Sequence, residues 1–270
     1  MINKNRFQKL WARQEHVFMP FFTLGDPNFE NSFEIIKAAI EAGADCLELG
    51  IPFSDPIADG PTNQRSMARA LKSGMNFERV LALLTKIRAL SSEIPIGLLL
   101  YYNVIYHRGL ELSLSQLAIA GVDAIVCGDL PIEEGKLFDQ ACERYGISPV
   151  YMVAPNTPDE RVKEIFKRSP AYTYVQSGLG VTGVKESVAP GTIEHVGHIK
   201  ELVSPLSASF KMIVGFGISK PEQVKQIWSA GADGAIVGSY FSQVIEKNLE
   251  DLNLAKKIIQ EFVRECHQSC

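Results

Sequence analysis

The segment CLELGIPFSDPIADGP, residues 46–61, sets a glutamate inside an apolar alternating run, then adds a loop holding Asp55 and Asp59 among Pro52, Pro56, Gly60 and Pro61. Carboxylates in such surroundings do acid–base chemistry. An acid taken partly out of water holds its proton to higher pH, so it can act as an acid or a proton shuttle near neutrality. Glu48 fits that role; the plainer reading is a buried glutamate satisfied by its neighbours. Asp59 sits on a loop that its prolines pre-order. It is either a second catalytic carboxylate or a turn-making aspartate, and spacing alone leaves both open. Asp55, beside Ser54 and Pro56, reads as a turn former or loop anchor.

A second constellation lies toward the end of the chain. GFGIS (215–219) and VGSYF (237–241) each close an apolar run and lead into a helical pattern. Glycines let an anion approach backbone N–H groups, and helix N-termini favour negative charge. The pair therefore suggests a phosphate site, with tight strand-to-helix turns as the alternative. SGLGVTGVKES (177–187) has three glycines and small polar residues and reads as a mobile lid, with Gly183 placed to lend the phosphate a further N–H.

These residues need elements to position them. Eight β-branched or aromatic runs recur, at 17–24, 46–53, 94–102, 123–130, 148–155, 171–177, 211–218 and 233–241. Helical spacing fills the intervals; Phe29, Phe33, Ile36 and Ile40 form one stripe. The phrase Ala-Gly-Ala-Asp at 42–45 returns as Ala-Gly-Val-Asp at 120–123 and Ala-Gly-Ala-Asp at 230–233, each ending a helix on glycine and starting a strand. Eight such units without a break in composition predict a single (β/α)8 TIM barrel domain over residues 1–270. An open doubly wound sheet is disfavoured, since the first strand lacks a glycine fingerprint. Residues 3–15 read as an extra N-terminal helix over the barrel floor and 251–266 as the closing helix. Strand alternation then turns Leu47, Leu49 and Ile51 to the helix layer and Cys46, Glu48 and Gly50 inward. Glu48 stands near the C-terminal mouth, where barrels build active sites, and the two glycine loops follow strands seven and eight, where barrels bind phosphate.

Composition excludes several classes. A formal net charge of −4 gives no basic surplus for nucleic acid. Five scattered cysteines form no C-x-x-C pair, which fits a reducing cytoplasm. The N-terminus lacks an apolar signal core, and no run of about 18 apolar residues occurs, so a soluble cytoplasmic protein without a membrane partner is expected. No lysine falls at the C-terminal end of a strand, Lys211 lying at the wrong end, which disfavours a Schiff base. The histidines do not cluster; His195 and His198 share a helix face and read as surface residues. What remains is a phosphorylated substrate worked on by carboxylates, without a metal or covalent cofactor.

LELGIPFSDPIADGP closely resembles the signature of the tryptophan synthase α subunit family, and MPFFTLGDP (19–27), IPIGLLLYYN (94–103), GVDAIVCGDLP (121–131), GVTG (180–183), GFGISKPEQV (215–224) and AGADGAIVGS (230–239) resemble its other blocks, in order. The resemblance spans essentially the whole chain. It implies cleavage of indole-3-glycerol phosphate to indole and glyceraldehyde 3-phosphate, a retro-aldol step needing no cofactor. By the same resemblance Glu48 is the proton shuttle at indole C3 and the glycerol hydroxyl, and Asp59 the partner of the ring nitrogen. Phe21, Leu99, Tyr101 and Tyr174 line the indole pocket, Thr182 closes the lid and orders Asp59, and backbone N–H groups of Gly183, Gly217, Gly238 and Ser239 meet the phosphate.

The family also implies a partner, a β subunit that carries pyridoxal phosphate in an α2β2 complex, with the loop through Pro52 and Asp55 as the contact region. This chain itself should bind no pyridoxal phosphate. A free-standing lyase and a catalytically silent activator of a β subunit are the competing readings. Two positions depart from the family pattern. Gly178 stands where an arginine is common, which predicts slower or partner-dependent lid closure, and Tyr102 stands where a smaller residue is common, next to Tyr101.

Overall fold

The structure, a computed structural model, describes residues 6–178, 190–215 and 217–267. Its strands are β1 (Val17–Thr23), β2 (Leu47–Gly50), β3 (Ile96–Leu100), β4 (Ala124–Cys127), β5 (Ser148–Val150), β6 (Met152–Val153), β7 (Thr173–Gln176), β8 (Met212–Gly215) and β9 (Gly234–Val237). All pair in parallel in the order β5-β4-β3-β2-β1-β9-β8-β7-β6. The two ends of that order, β5 and β6, are consecutive pieces of one strand separated by Tyr151 alone. The strands thus occupy eight positions of a ring with helices outside it, the expected (β/α)8 barrel.

The fifth run, read as one strand, is two. Tyr151 turns its side chain into the outer core, and its N–H donates to Ser169 Oγ at 3.1 Å instead of to the ladder. Its hydroxyl lies 2.6 Å from Asp139 and 3.3 Å from Arg168, which holds it outward. Its carbonyl still accepts from Tyr174 N at 3.1 Å, so the ring stays joined there.

Alternation sorts the two layers as the sequence indicates. Leu47, Leu49 and Ile51 join the core between sheet and helices. Cys46 joins the interior with Val17, Met19, Phe21, Val126, Tyr172, Tyr174, Ile213 and Ile236. The stripe on the helix Phe29–Glu41 is displaced from the expected one. Ile35, Ile36, Ala38 and Ala39 are buried, whereas Phe29, Phe33 and Ile40 flank the core. Lys86 Nζ lies 4.4 Å from the Phe33 ring centroid, so this edge is covered by a neighbouring helix's cation.

The repeated Ala-Gly-x-Asp phrase has a structural meaning. Gly43, Gly121 and Gly231 take φ of 100°, 90° and 107°, a region that favours glycine and turns each chain out of its helix. The aspartate that follows reaches back to the preceding strand position. Asp45 Oδ2 accepts from Phe18 N at 2.8 Å, Asp123 Oδ2 from Ile96 N at 2.9 Å and Asp233 Oδ2 from Met212 N at 2.9 Å. Side chains hold the other oxygens: Gln14 on Asp45, Arg6 on Asp123 and Lys211 on Asp233. These latches all lie where strands begin.

The extra N-terminal helix is described over Arg6–Trp11, shorter than the expected 3–15, with residues 1–5 outside the described set. It covers the floor as expected. Phe7 is wholly buried, its ring centroid 5.1 Å from that of Tyr172, and Trp11 Nε1 donates to Ala171 O. The closing helix is Leu252–His267, and Phe262 from it packs on Phe18 and Phe241. No helix among the described residues is long and apolar enough to cross a membrane.

Candidate active site

β2 sends Glu48 into the ring, opposite Phe21 of β1 in the register. Glu48 is 1% exposed, and its Oε1 has no hydrogen-bond partner among the described residues. Burial, with the nearby Asp59 charge added, pushes its carboxyl up to about 8. Asp59 arrives from the loop after β2 and is also buried, but its surroundings differ. Tyr101 OH donates to Asp59 Oδ2 at 2.7 Å, and Asn63 Nδ2 donates to Oδ1 at 3.1 Å. Burial raises the Asp59 carboxyl, and these two donors work against that rise. Donors to a carboxylate favour its ionised form. Glu48, with no donor to Oε1, thus favours its neutral form more than Asp59, which has two donors.

The loop that delivers Asp59 is braced. Ala58 N–H donates to Tyr101 OH at 3.0 Å, Asp59 N–H to Pro56 O at 3.1 Å and Gln64 Nε2 to Asp59 O at 2.8 Å. Phe53 stacks on Tyr101 with ring centroids 5.3 Å apart. Gly60 caps the helix Pro61–Lys72, and Pro61 at its first position pre-sets the turn. Asp55 has the role expected from its neighbours, accepting from Ser54 Oγ and offering its carbonyl to Ile57 N–H.

One cavity at the C-terminal mouth gathers every described candidate: Glu48, Asp59, Phe21, Leu99, Tyr101, Tyr174, Gly217, Gly238 and Ser239. Glycines make this packing possible. A Cβ on Gly50 would lie 2.8 Å from the Phe21 ring, and one on Gly215 2.2 Å from Tyr174 OH. The apolar wall also includes Met152 and Ile236, which the sequence reading did not single out. Nor did it single out Asn63, although four residues beyond Asp59, at the start of a helix, is a spacing that brings side chains together. Tyr101 was legible as a wall, but not as a donor to Asp59. Gly217 precedes the helix Pro221–Ser229, and Gly238 and Ser239 open the helix Ser239–Lys247, so the glycine end faces two helix N-termini.

Thr182 and Gly183 lie outside the described residues, as does the segment 179–189 to which they belong. Either side of it, Thr192 Oγ1 donates to the Ser177 carbonyl. Tyr102 turns away from the cavity; its ring meets Tyr106 and Phe138, and its N–H donates to Asp129. His198 is exposed and bonds Asp159, while His195 is half-buried with its pKa lowered by that burial. Among the described residues no group of three or more His, Cys, Asp or Glu could hold a metal ion. Lys211 pairs with Asp233 at the strand-start end, away from the mouth.

Known proteins resemble this chain along most of its length. The family described as tryptophan synthase alpha chain matches residues 7–270. The tryptophan synthase alpha chain of Photobacterium profundum is 42% identical over 259 residues, covering 96% of this chain and 94% of that one. The Methanothermobacter thermautotrophicus alpha chain is 45% identical over 245 residues, covering 91% and 88%. Among solved structures, a mutant tryptophan synthase α subunit from Pyrococcus furiosus superposes with a TM-score of 0.84 at 35% identity, covering 94% of this chain and 98% of that one. A chain from the Pyrococcus furiosus tryptophan synthase α2β2 complex gives 0.84 at 34% identity, with the same coverage. A barrel with a buried acid pair at its mouth, matched along its length at these identities, leaves one assignment: the chain belongs to the tryptophan synthase α chain family.

Proposed function

We propose that Glu48 and Asp59 divide between them the reaction of this family, cleavage of indole-3-glycerol phosphate to indole and glyceraldehyde 3-phosphate, on a single barrel domain spanning residues 1–270. The reaction is a carbon–carbon lyase step of tryptophan biosynthesis. The observation that carries the division of roles is the contrast between the two acids: Glu48 lacks a partner for Oε1 and is pushed up to about 8, whereas Asp59 accepts from Tyr101 and Asn63.

Protonated Glu48 gives its proton to indole C3, and positive charge develops at the ring nitrogen. Asp59, already ionised, stabilises that charge and receives the nitrogen's hydrogen bond. Glu48, now a carboxylate, takes the proton from the glycerol hydroxyl. The O–H electrons become the aldehyde C=O as the carbon–carbon bond breaks, and that bond's pair restores the neutral indole. The net change is one bond cleaved and one proton moved from oxygen to carbon, with Glu48 returned to its starting state. Protons are all that must move, so the chain is assigned no cofactor of its own.

Phe21, Leu99, Tyr101 and Tyr174 hold the indole, and Gly217, Gly238 and Ser239, with Gly183 and Thr182 of the 179–189 segment, hold the phosphate and close the site. The partner is a β subunit carrying pyridoxal phosphate, in an α2β2 complex in the cytoplasm. The loop through Pro52 and Asp55 supports that reading, since it stands beside the site and its Ile57 is 75% exposed.

The test is indole release by wild type, Glu48→Gln and Asp59→Asn, each with and without a pyridoxal-phosphate β subunit. Each substitution should lower turnover by ~10²–10⁴-fold, the usual contribution of a general acid or base, while wild type rises with the partner. Wild-type turnover indifferent to the partner would identify a free-standing lyase. An inert wild type that still activates the β subunit would remove the chemistry from this chain and make Gly178 the first suspect.

A further inference from the structure

Asp59 is tied to the helix that opens the glycine end of the cavity. That helix, Ser239–Lys247, begins at the cavity wall, and Ser242 lies in its first turn, 2% exposed, with its N–H donating to Gly238 O. Ser242 Oγ donates to Asn63 Oδ1 at 3.0 Å. Asn63, 4% exposed, turns its other amide atom, Nδ2, to Asp59 Oδ1 at 3.1 Å. The carboxylate only accepts, so it must face the amide nitrogen, and the hydroxyl must then donate to the amide oxygen. Each partner thereby fixes the orientation of Asn63.

The two helices that carry this relay are also clamped farther along. Arg65 Nε and Nη2 reach Glu246 at 2.7 and 2.8 Å, and Arg69 joins Glu246 at 2.9 Å and Asp26 at 2.8 Å. The Pro61–Lys72 helix therefore follows the Ser239–Lys247 helix, and Asn63 cannot easily retreat from Ser242.

We infer that Ser242, acting through Asn63, is a positioning residue that registers Asp59 against the phosphate-binding end of the pocket; this rests on the acid-pair reading above. Without the Ser242 hydroxyl, Asn63 Oδ1 is left buried and unpaired, and the side chain is no longer held from both ends. A looser Asn63 shifts to seek another donor for Oδ1, and its bond to Asp59, which favours the ionised carboxylate, weakens. The other groups facing Asp59 are Glu48 on β2, Tyr101 beyond β3 and Tyr174 on β7. All are acids, so none replaces the lost donor's charge preference except Tyr101 through its existing bond.

The experiment compares wild type, Asp59→Asn, Ser242→Ala and Ser242→Cys for cleavage of indole-3-glycerol phosphate, taking kcat and KM separately, the pH profile of kcat/KM, and the melting temperature. Ser242→Ala should lose about tenfold in kcat, in line with one hydrogen bond to a charged group, with KM held within about twofold. Its acidic limb should move to higher pH, because Asp59 then protonates more readily; the apparent value belongs to the coupled acid pair. The melting temperature should fall by no more than a few degrees. Ser242→Cys, with its weak S–H donor, should lie between wild type and Ser242→Ala. An unchanged kcat and pH limb in Ser242→Ala overturns the inference, as does a loss confined to KM or one that simply tracks melting. The controls separate the two levels. Asp59→Asn as active as wild type sinks the role of Asp59 itself, whereas an inert Asp59→Asn beside an unaltered Ser242→Ala sinks only the relay.

Discussion

Burial favours the protonated form of Glu48, and it acts on the fold as well as on the proposed chemistry. Its carboxyl sits at about 8 against an ordinary value of 4.5, so the folded protein holds this proton more tightly than the unfolded chain does. The stabilising contribution is complete below the ordinary value and is lost as pH rises toward 8, at about 1.4 kcal/mol per pH unit across that window. Glu48→Gln keeps the shape and cannot ionise. It should melt at the same temperature as wild type near pH 5 and several degrees higher at pH 8.5, as followed by thermal denaturation at a series of pH values. A gap that fails to open with pH would mean that solvent reaches Glu48. The inward direction of Glu48 was legible in the sequence because strand alternation has a period of two. The Tyr101 donor on Asp59 was not. Tyr101 lies 42 residues away, and a contact made across the ring leaves no periodic trace.

At the level of elements, the Ala-Gly-x-Asp phrase was visible as a repeat, and its glycines were legible as helix stops. The aspartates' work was not, since it depends on which strand comes to lie alongside. Asp123 takes two arginines, Arg6 at 2.8 Å and Arg88 at 3.1 Å, besides the Ile96 N–H. Asp123→Ala leaves a half-buried Arg88 and a buried N–H without their acceptor. It should cost about 3–5 kcal/mol, the usual loss when one partner of a buried ion pair is removed. Asp123→Asn, which can still accept from Ile96, should cost less; urea denaturation orders the two. The division of the fifth run at Tyr151 had no sequence signal, because tyrosine is a good strand former. The bonds that pull it outward come from Asp139 and Arg168, in other parts of the chain.

Across the whole molecule, the strand-start latches and the proposed active site occupy opposite ends of the ring. The floor is closed by Phe7, wholly buried against Tyr172. Phe7→Ala should cost about 3–5 kcal/mol, as large-to-small changes of a buried aromatic do, while leaving kcat for indole release close to wild type. Urea denaturation beside the indole assay checks both halves, and a parallel loss of kcat would show that the floor sets the geometry of the mouth. The aspartate latches lie at that same floor, one at the foot of each of three strands. The loops at the other rim take no part in them. Over generations, insertions, charge changes and new lids can accumulate at the mouth while the ring beneath keeps its register, so a lineage built on this barrel can change what it does long before it changes how it folds.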